Sequence, residues 1–422
     1  MKDFLKKILK IFSRAVLKKY NPRIIGITGS IGKTSTREAI YIILKRQFKV
    51  RKSVKDYNDE IEILLTILGC QLDKRSIFKW LEAFLRGLKL IFFRDKNYPQ
   101  ILILEMSLDQ KSDIRYLTDF TSQKIGVVTT IDENRLSPGK SMEDAIKEMG
   151  ALVINLREED GAVLNEDDKN VLSMKARTKA NVLTYGFKEV ADVKVAELEV
   201  KSDIIKGLIG INFKLIHEGK VIPMFLPKVL GQDLIYNILA TIAVGIIYEV
   251  NLLEISEVLR GYQSPPGRMN LIPGVKNTSI IDDTYEASFK SVRTALDILS
   301  QMIISGRKWA VLGGLVELGI HTEKIHQEIG EYVVNRGVDV LVTVGGAARG
   351  IAKGALKNNF TEERIYNFND SESAGRFIQD RIREGDLILI KGSQELRMEK
   401  IVKELMAEPL RAKELLVRQE KE

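Results

Sequence analysis

Ile24-Ile25-Gly26-Ile27-Thr28-Gly29-Ser30-Ile31-Gly32-Lys33-Thr34-Ser35-Thr36 reads as a buried strand, a glycine turn and a helix that starts near Thr34. Glycines at 29 and 32 let backbone N–H groups turn inward around an anion, and the following helix N-terminus favours negative charge. Lys33 is placed to reach the outer phosphates of a nucleotide, and Thr34 to ligate Mg²⁺. The spacing departs from the strict phosphate-loop form, because Ile27 stands where the first glycine would be. Gly-Lys-Thr-Ser directly after an apolar strand still points to nucleotide binding, with Gly29, Ser30, Gly32, Lys33, Thr34 and Ser35 at the nucleotide.

Outward from this stretch, short apolar runs alternate with helical segments: Ile101 to Leu104, Ile125 to Val128 and Ala162 to Leu164. Continuously apolar strands separated by helices predict a parallel sheet covered on both faces. Glu105 closes the run at Ile101 to Leu104. A carboxylate at the carboxyl end of a parallel strand lies where open sheets bind ligands, so Glu105 is a candidate for holding Mg²⁺. Residues 191 to 228 break into short runs at Lys-Gly and Glu-Gly turns, which predicts β-hairpins. Leu234 to Val250 contains Asn237 and Glu249, and reads as a buried helix rather than a membrane span.

Ser264-Pro265-Pro266-Gly267 is the best linker signal. Strand and helix alternation restarts beyond it at Ser279 to Ile281, Trp309 to Leu312, Val340 to Val344 and Leu387 to Ile390. The expected fold class is therefore α/β: a P-loop domain with a parallel sheet and a β-hairpin layer over residues 23–262, then a doubly wound, Rossmann-like domain over 263–422. Residues 1–22 form a basic amphipathic helix, and a second basic amphipathic segment is inserted at about 73–97.

The chain has 422 residues, 65 Lys plus Arg against 57 Asp plus Glu, three His and one Cys. This composition suits two or three globular domains and excludes disorder. A lone Cys70 excludes an intrachain disulfide and any cysteine-ligated zinc or iron–sulfur site, and fits a reducing, cytoplasmic compartment. The first 23 residues carry eight cations against Asp3, a net +7, and residues 73–96 carry seven cations against three anions, a net +4. The remaining chain is slightly acidic. Nucleic acid is thus not the expected partner. Aromatic and aliphatic side chains beside Lys and Arg suit the inner face of an anionic membrane, although both segments also fit ordinary helices docked on the core.

Several motifs together resemble the Mur ligase family, most closely its D-alanyl-D-alanine-adding members. They are Thr28 to Thr36; Leu104-Glu105-Met106; Gly161 to Asp168; Asn237 with Leu239-Ala240; Gly267-Arg268; Ile281-Asp282-Asp283-Thr284-Tyr285; Val311-Leu312-Gly313 with Glu317-Leu318-Gly319 and His326; and Lys391-Gly392-Ser393 with Arg397-Met398-Glu399. The resemblance spans about Arg23 to Met398. It implies an ATP- and Mg²⁺-dependent amide ligase of peptidoglycan precursor synthesis, which phosphorylates a peptide or muropeptide carboxylate and joins it to an amino acid or dipeptide amine. It places Asn237, Arg268 and Asp283 at the nucleotide, Glu105 at a metal, and Lys391, Gly392, Ser393 and Arg397 toward the incoming amine.

The departures from the family are specific. A metal-binding histidine is replaced by Arg135, which is expected to neutralise phosphate charge beside Lys33 and Glu105. A carbamylated lysine aligns with Met149, and Lys147 lies two residues away. About 20 residues precede the P-loop strand, where the family carries a uridine-nucleotide-binding domain, so the carboxylate substrate is expected to be presented differently, for example on a lipid carrier. These changes leave open a degenerate or partner-dependent ATP-binding protein, or a Mur-type ligase with another acceptor.

Overall fold

The computed structural model describes residues 2–53, 60–70, 77–106, 114–132, 141–231, 233–315 and 322–419. The chain divides into two compact units. The first comprises Met1–Leu198, Phe213–Phe225 and Gln232–Tyr262; the second comprises Glu199–Asn212, Leu226–Gly231 and Gln263–Glu422.

The first half of the chain runs α1 (Lys2–Tyr20), β1 (Arg23–Thr28), α2 (Lys33–Leu44), β2 (Val50–Lys52), α3 (Glu60–Leu68), α4 (Ile77–Phe92), β3 (Ile101–Glu105), α5 (Ile114–Thr121) and β4 (Ile125–Val128). It continues through α6 (Met142–Ile154), β5 (Gly161–Asn165), α7 (Lys169–Leu172), β6 (Asn181–Gly186), β7 (Val193–Asp203), β8 (Leu208–His217), β9 (Lys220–Pro227), α8 (Asp233–Ile247) and α9 (Leu252–Leu259). The strand order is β2-β3-β1-β4-β5-β6-β7-β8-β9. Pairing is parallel from β2 through to the β6–β7 step. The strands expected over 191–228 thus extend the edge of the main sheet through the parallel pair Tyr185 and Val193.

Strand β1 is buried from its second residue onward, as a central strand covered on both faces must be. After β1 the chain moves to β2 and β3 on one side, and β4 to β6 lie on the other. The β1–β4 boundary is therefore a topological switch point, where open sheets bind ligands beyond the strand carboxyl ends. Leu9 and Val16 of α1, Trp80, Ala83 and Leu90 of α4, and Leu152 of α6 share one apolar cluster with Leu102 and Leu104 of β3. The amino-terminal helix is thus docked: Ser13 Oγ donates to the Leu64 carbonyl, and Phe12 meets Phe84 edge-on at 6.0 Å.

The second half runs β10 (Asn270–Gly274), β11 (Thr278–Asp283), α10 (Phe289–Gln301), β12 (Lys308–Gly313), α11 (Thr322–Asn335), β13 (Val340–Val344), α12 (Arg349–Lys357), β14 (Ile365–Phe368), α13 (Ser371–Arg381), β15 (Leu387–Lys391), α14 (Glu399–Leu405) and α15 (Ala412–Leu415). The sheet order is β10-β11-β15-β12-β13-β14, parallel except for β10. The two-residue period of a strand sorts its side chains between two cores. Ala310 and Leu312 join one cluster with Leu296, Ile329 and Ile351, whereas Trp309 and Val311 join another with Ile378, Ile401 and Leu405. Both faces of the sheet are helix-covered for that reason.

Candidate functional site

The turn after β1 is shaped by two positive-φ glycines, Gly29 (φ 139°) and Gly32 (φ 90°). A Cβ at Gly29 would come within 2.0 Å of Thr129 Oγ1, and one at Gly32 within 2.2 Å of Asn237 Oδ1. No other residue type fits the backbone and the space together. Asn237, one turn into α8, is buried against this turn, and Thr36 Oγ1 donates to its Oδ1 at 3.4 Å. Thr129, just after β4, braces the opposite side by donating to Ile31 O at 2.6 Å. Ser30 N donates to Thr130 O at 2.7 Å, and Ser30 Oγ accepts from Asp132 N at 3.1 Å.

On the first turn of α2, Lys33 Nζ donates to Gly29 O at 2.7 Å, folding the ammonium back over the loop. Thr34 Oγ1 donates to the Glu105 carboxylate, 3.1 Å from Oε1 and 3.2 Å from Oε2. The two residues stand on adjacent elements because β1 and β3 pair in register, with Ile27 opposite Glu105. The hydroxyl and carboxylate oxygens of Thr34 and Glu105 are hard donors of the kind Mg²⁺ takes. Ser35 is buried in the same turn.

Sequence reasoning missed Arg37. Its Nη1 donates to Glu105 Oε2 at 3.0 Å, and its Nη2 donates to Glu38 Oε1 at 2.9 Å, with the Arg37 side chain only 4% exposed. Glu38 in turn pairs with Lys52. The signal was present, since Arg37 lies four residues after Lys33 on the same helical face. Asp168, quoted above only as part of a motif, closes the loop that follows β4. Its Oδ2 accepts from Thr130 Oγ1 at 2.7 Å and Ile131 N at 2.8 Å, while its Oδ1 caps α7. Nearby, Tyr236 OH donates to Asp167 Oδ2 at 3.0 Å and its ring meets Phe187 at 4.9 Å.

Arg135 lies outside the described residues. Met149 is 2% exposed within the apolar cluster and Lys147 points outward from α6. Among the described residues, no group of three or more His, Cys, Asp and Glu side chains is placed to hold a metal.

The second unit gathers its singled-out residues at the carboxyl ends of β11 and β15. Lys391 Nζ donates to Asp283 Oδ2 at 2.6 Å and to Glu286 O at 2.7 Å, and the lysine side chain is 2% exposed. Beside it, Asp282 is fully buried and accepts from Thr284 Oγ1 at 2.6 Å and Gly267 N at 3.1 Å. Burial, reinforced by the charge of Asp283, pushes its carboxyl up to about 7 against the hydrogen bonds from Thr284 and Gly267. Arg268 stacks on Tyr285, 3.9 Å from the ring centroid, and lies 3.9 Å from Glu286. Gly392 packs directly on Gly313 of the neighbouring strand, and Ser393 is buried next to it.

Arg397 takes a left-handed backbone (φ 52°), and its Nε donates to the fully buried Glu399 at 2.5 Å. Arg418, in the C-terminal tail, pairs with the other Glu399 oxygen at 2.9 Å. It also donates to Tyr285 O at 2.5 Å, so the tail ties itself to the loop after β11. His326 is fully buried: its Nε2 accepts from Leu315 N at 2.9 Å and its Nδ1 donates to Thr322 O at 2.6 Å. Those bonds fix one neutral tautomer and give His326 a structural place.

Two family models match the chain: the Mur ligase middle domain over residues 85–245 and the Mur ligase glutamate ligase domain over residues 267–394. The UDP-N-acetylmuramoyl-tripeptide–D-alanyl-D-alanine ligase of Bacillus subtilis is 28% identical over 404 residues, covering 95% of this chain and 80% of that protein. The enzyme of the same name from Rickettsia prowazekii is 25% identical over 90% of this chain and 77% of its own length. Among solved structures, MurF from Acinetobacter baumannii superposes with a TM-score of 0.78 at 21% identity, covering 94% of this chain and 79% of that one. The MurF ligase of Thermotoga maritima in complex with ADP gives 0.72 at 22% identity, covering 94% and 83%.

Proposed function

Because the chain belongs to the Mur ligase family, we propose that it is an ATP-dependent carboxylate–amine ligase of peptidoglycan precursor synthesis, joining a peptidyl carboxylate to D-alanyl-D-alanine. The observation that carries this reading is the convergence of Lys33, Thr34 and Glu105 at a switch point of the sheet, in a chain that matches such ligases over nearly its whole length. The γ-phosphoryl group of ATP passes to a carboxylate oxygen of the substrate, releasing ADP and leaving an acyl phosphate. The amine then attacks the acyl carbon, loses a proton and expels phosphate as the amide forms.

The residues divide this work by charge. Lys33 exchanges its bond to Gly29 O for phosphate oxygens, and the N-terminus of α2 favours the same anion. Thr34 and Glu105 would hold Mg²⁺, which supplies charge neutralisation at the phosphates when bound. Arg37 orients Glu105 through its 3.0 Å contact. Asn237 supports the loop at Gly32. In the second unit, Lys391, Ser393, Arg397, Arg268 and Asp283 form the candidate surface for the nucleotide and the incoming amine. We place the reaction in the cytoplasm, in keeping with a chain that has one cysteine.

The test is ATP turnover and amide formation, followed by mass spectrometry, with muropeptide acids and D-alanyl-D-alanine. Turnover that depends on both substrates and is lost in Lys33→Ala supports the reading; turnover unchanged by Lys33→Ala sinks it.

A further inference from the structure

Helix α4 carries two apolar faces. Trp80, Ala83 and Leu90 are buried in the core, whereas Leu81, Leu85, Leu88 and Phe92 recur at intervals of four, three and four residues and are 54%, 58%, 39% and 74% exposed. Such spacing places them in one stripe along the helix. Phe93 follows at 70% exposure, and Ile11 of α1, the helix packed alongside α4, is 63% exposed. Isolated exposed apolar residues need no explanation, but a continuous stripe with terminal phenylalanines does.

The surrounding charge is predominantly positive, and the exposed Glu82 of α4 is paired with Lys79 at 3.1 Å. Lys7, Arg14 and Lys18 on α1, with Lys89, Arg94 and Lys96 at the end of α4, are all exposed. These helices lie in the two segments that carry net charges of +7 and +4, while the rest of the chain is slightly acidic. A second copy docking through the same stripe would bring these cations together, which opposes self-association. The helices are firmly held as a platform: Lys19 Nζ caps the end of α4 at Leu90 O (3.0 Å) and Ile91 O (2.8 Å), and Tyr20 stacks on Tyr98 at 4.1 Å.

We propose that this outward face of α4, together with α1, docks on an anionic phospholipid surface, with the stripe entering the headgroup boundary and the cations meeting lipid phosphates. The stripe shares no residue with the loop that holds Lys33, so docking and ATP chemistry can be tested separately.

The experiment is co-sedimentation of the full chain with vesicles of phosphatidylglycerol and phosphatidylcholine, compared with phosphatidylcholine alone. Binding is expected to the anionic vesicles, to weaken at high salt as screening shortens to a few ångströms, and to fall about tenfold or more in Leu85→Glu/Phe92→Glu. Lys89→Glu/Lys96→Glu should lower binding to anionic vesicles specifically. Unchanged ATP turnover in both double variants shows that the fold is intact, since all four side chains are exposed. The proposal is overturned if the protein fails to bind anionic vesicles. It is equally overturned if binding survives both double variants, or if light scattering shows a dimer that Leu85→Glu/Phe92→Glu dissociates.

Discussion

Lys391 Nζ lies 2.6 Å from Asp283 Oδ2, directly across the parallel register that sets Asp283 of β11 opposite Lys391 of β15. The pair sits at the strand ends with the lysine almost wholly buried, and the ammonium also reaches Glu286 O. Removing one partner of such a pair leaves a charge without compensation in a poorly solvated place. Lys391→Met should therefore cost the second unit about 3–5 kcal/mol, read by urea unfolding followed through Trp309. Adding Asp283→Asn should recover most of that loss, and a double variant no more stable than Lys391→Met would contradict the account.

Gly32→Ala adds a Cβ at φ 90° and within 2.2 Å of Asn237 Oδ1. The left-handed backbone alone costs about 1–2 kcal/mol, so nucleotide affinity should drop roughly tenfold or more. Titration with a fluorescent ATP analogue measures it. Asn237→Ala in the same chain should relieve only the steric part.

Glu105→Gln keeps the shape of the side chain and removes the charge that Thr34 and Arg37 now contact. The Mg²⁺ concentration for half-maximal turnover should rise about tenfold, with metal-free ATP binding unchanged. An unaltered Mg²⁺ dependence would take Glu105 out of the metal site.

Arg37→Met should lower turnover by about tenfold or more through loss of Glu105 orientation, with Arg37→Lys recovering part of it. Circular dichroism separates this from unfolding. If Arg37→Met turns over normally, the Arg37–Glu105 contact has no part in the reaction.

Asp282 provides a pH signature. Its carboxyl is raised to about 7 in the folded unit by burial, against roughly 3.9 in an unfolded chain. Between those values the folded state binds more protons than the unfolded one, so this group's contribution makes stability fall as pH rises from about 4 to about 7 and level off above. Asp282→Asn should remove that slope, seen as a difference in unfolding midpoint between wild type and variant across pH 4.5 to 8. Parallel pH profiles for the two proteins would refute the assignment.

The reach of the sequence varied from residue to residue. Lys33, Thr34 and Glu105 were legible because glycine spacing and a carboxylate after an apolar strand are local signals. Arg37 shares a helical face with Lys33, but only the β1–β3 pairing brings Glu105 to it, and Asp168 looked like an ordinary loop residue that only the β4–β5 pairing brings to the loop after β4. Arg418 was unreadable for the same reason, since its partners Tyr285 and Glu399 meet it only after the tail folds back.

The amphipathic segments divide in an instructive way. Composition determined that residues 1–23 and 73–96 are cationic and apolar at helical spacing. It could not determine which apolar side chains are spent on the core, because a helical period marks an apolar face without saying what covers it. Local pattern thus determined the two α/β sheets, the phosphate turn and the family to which the chain belongs. The tertiary structure decided which charges are neighbours and which apolar face is left over, because both depend on contacts between residues distant in the chain. Lys391 with Asp283, Arg37 with Glu105, and the bare stripe of α4 are three outcomes of that packing.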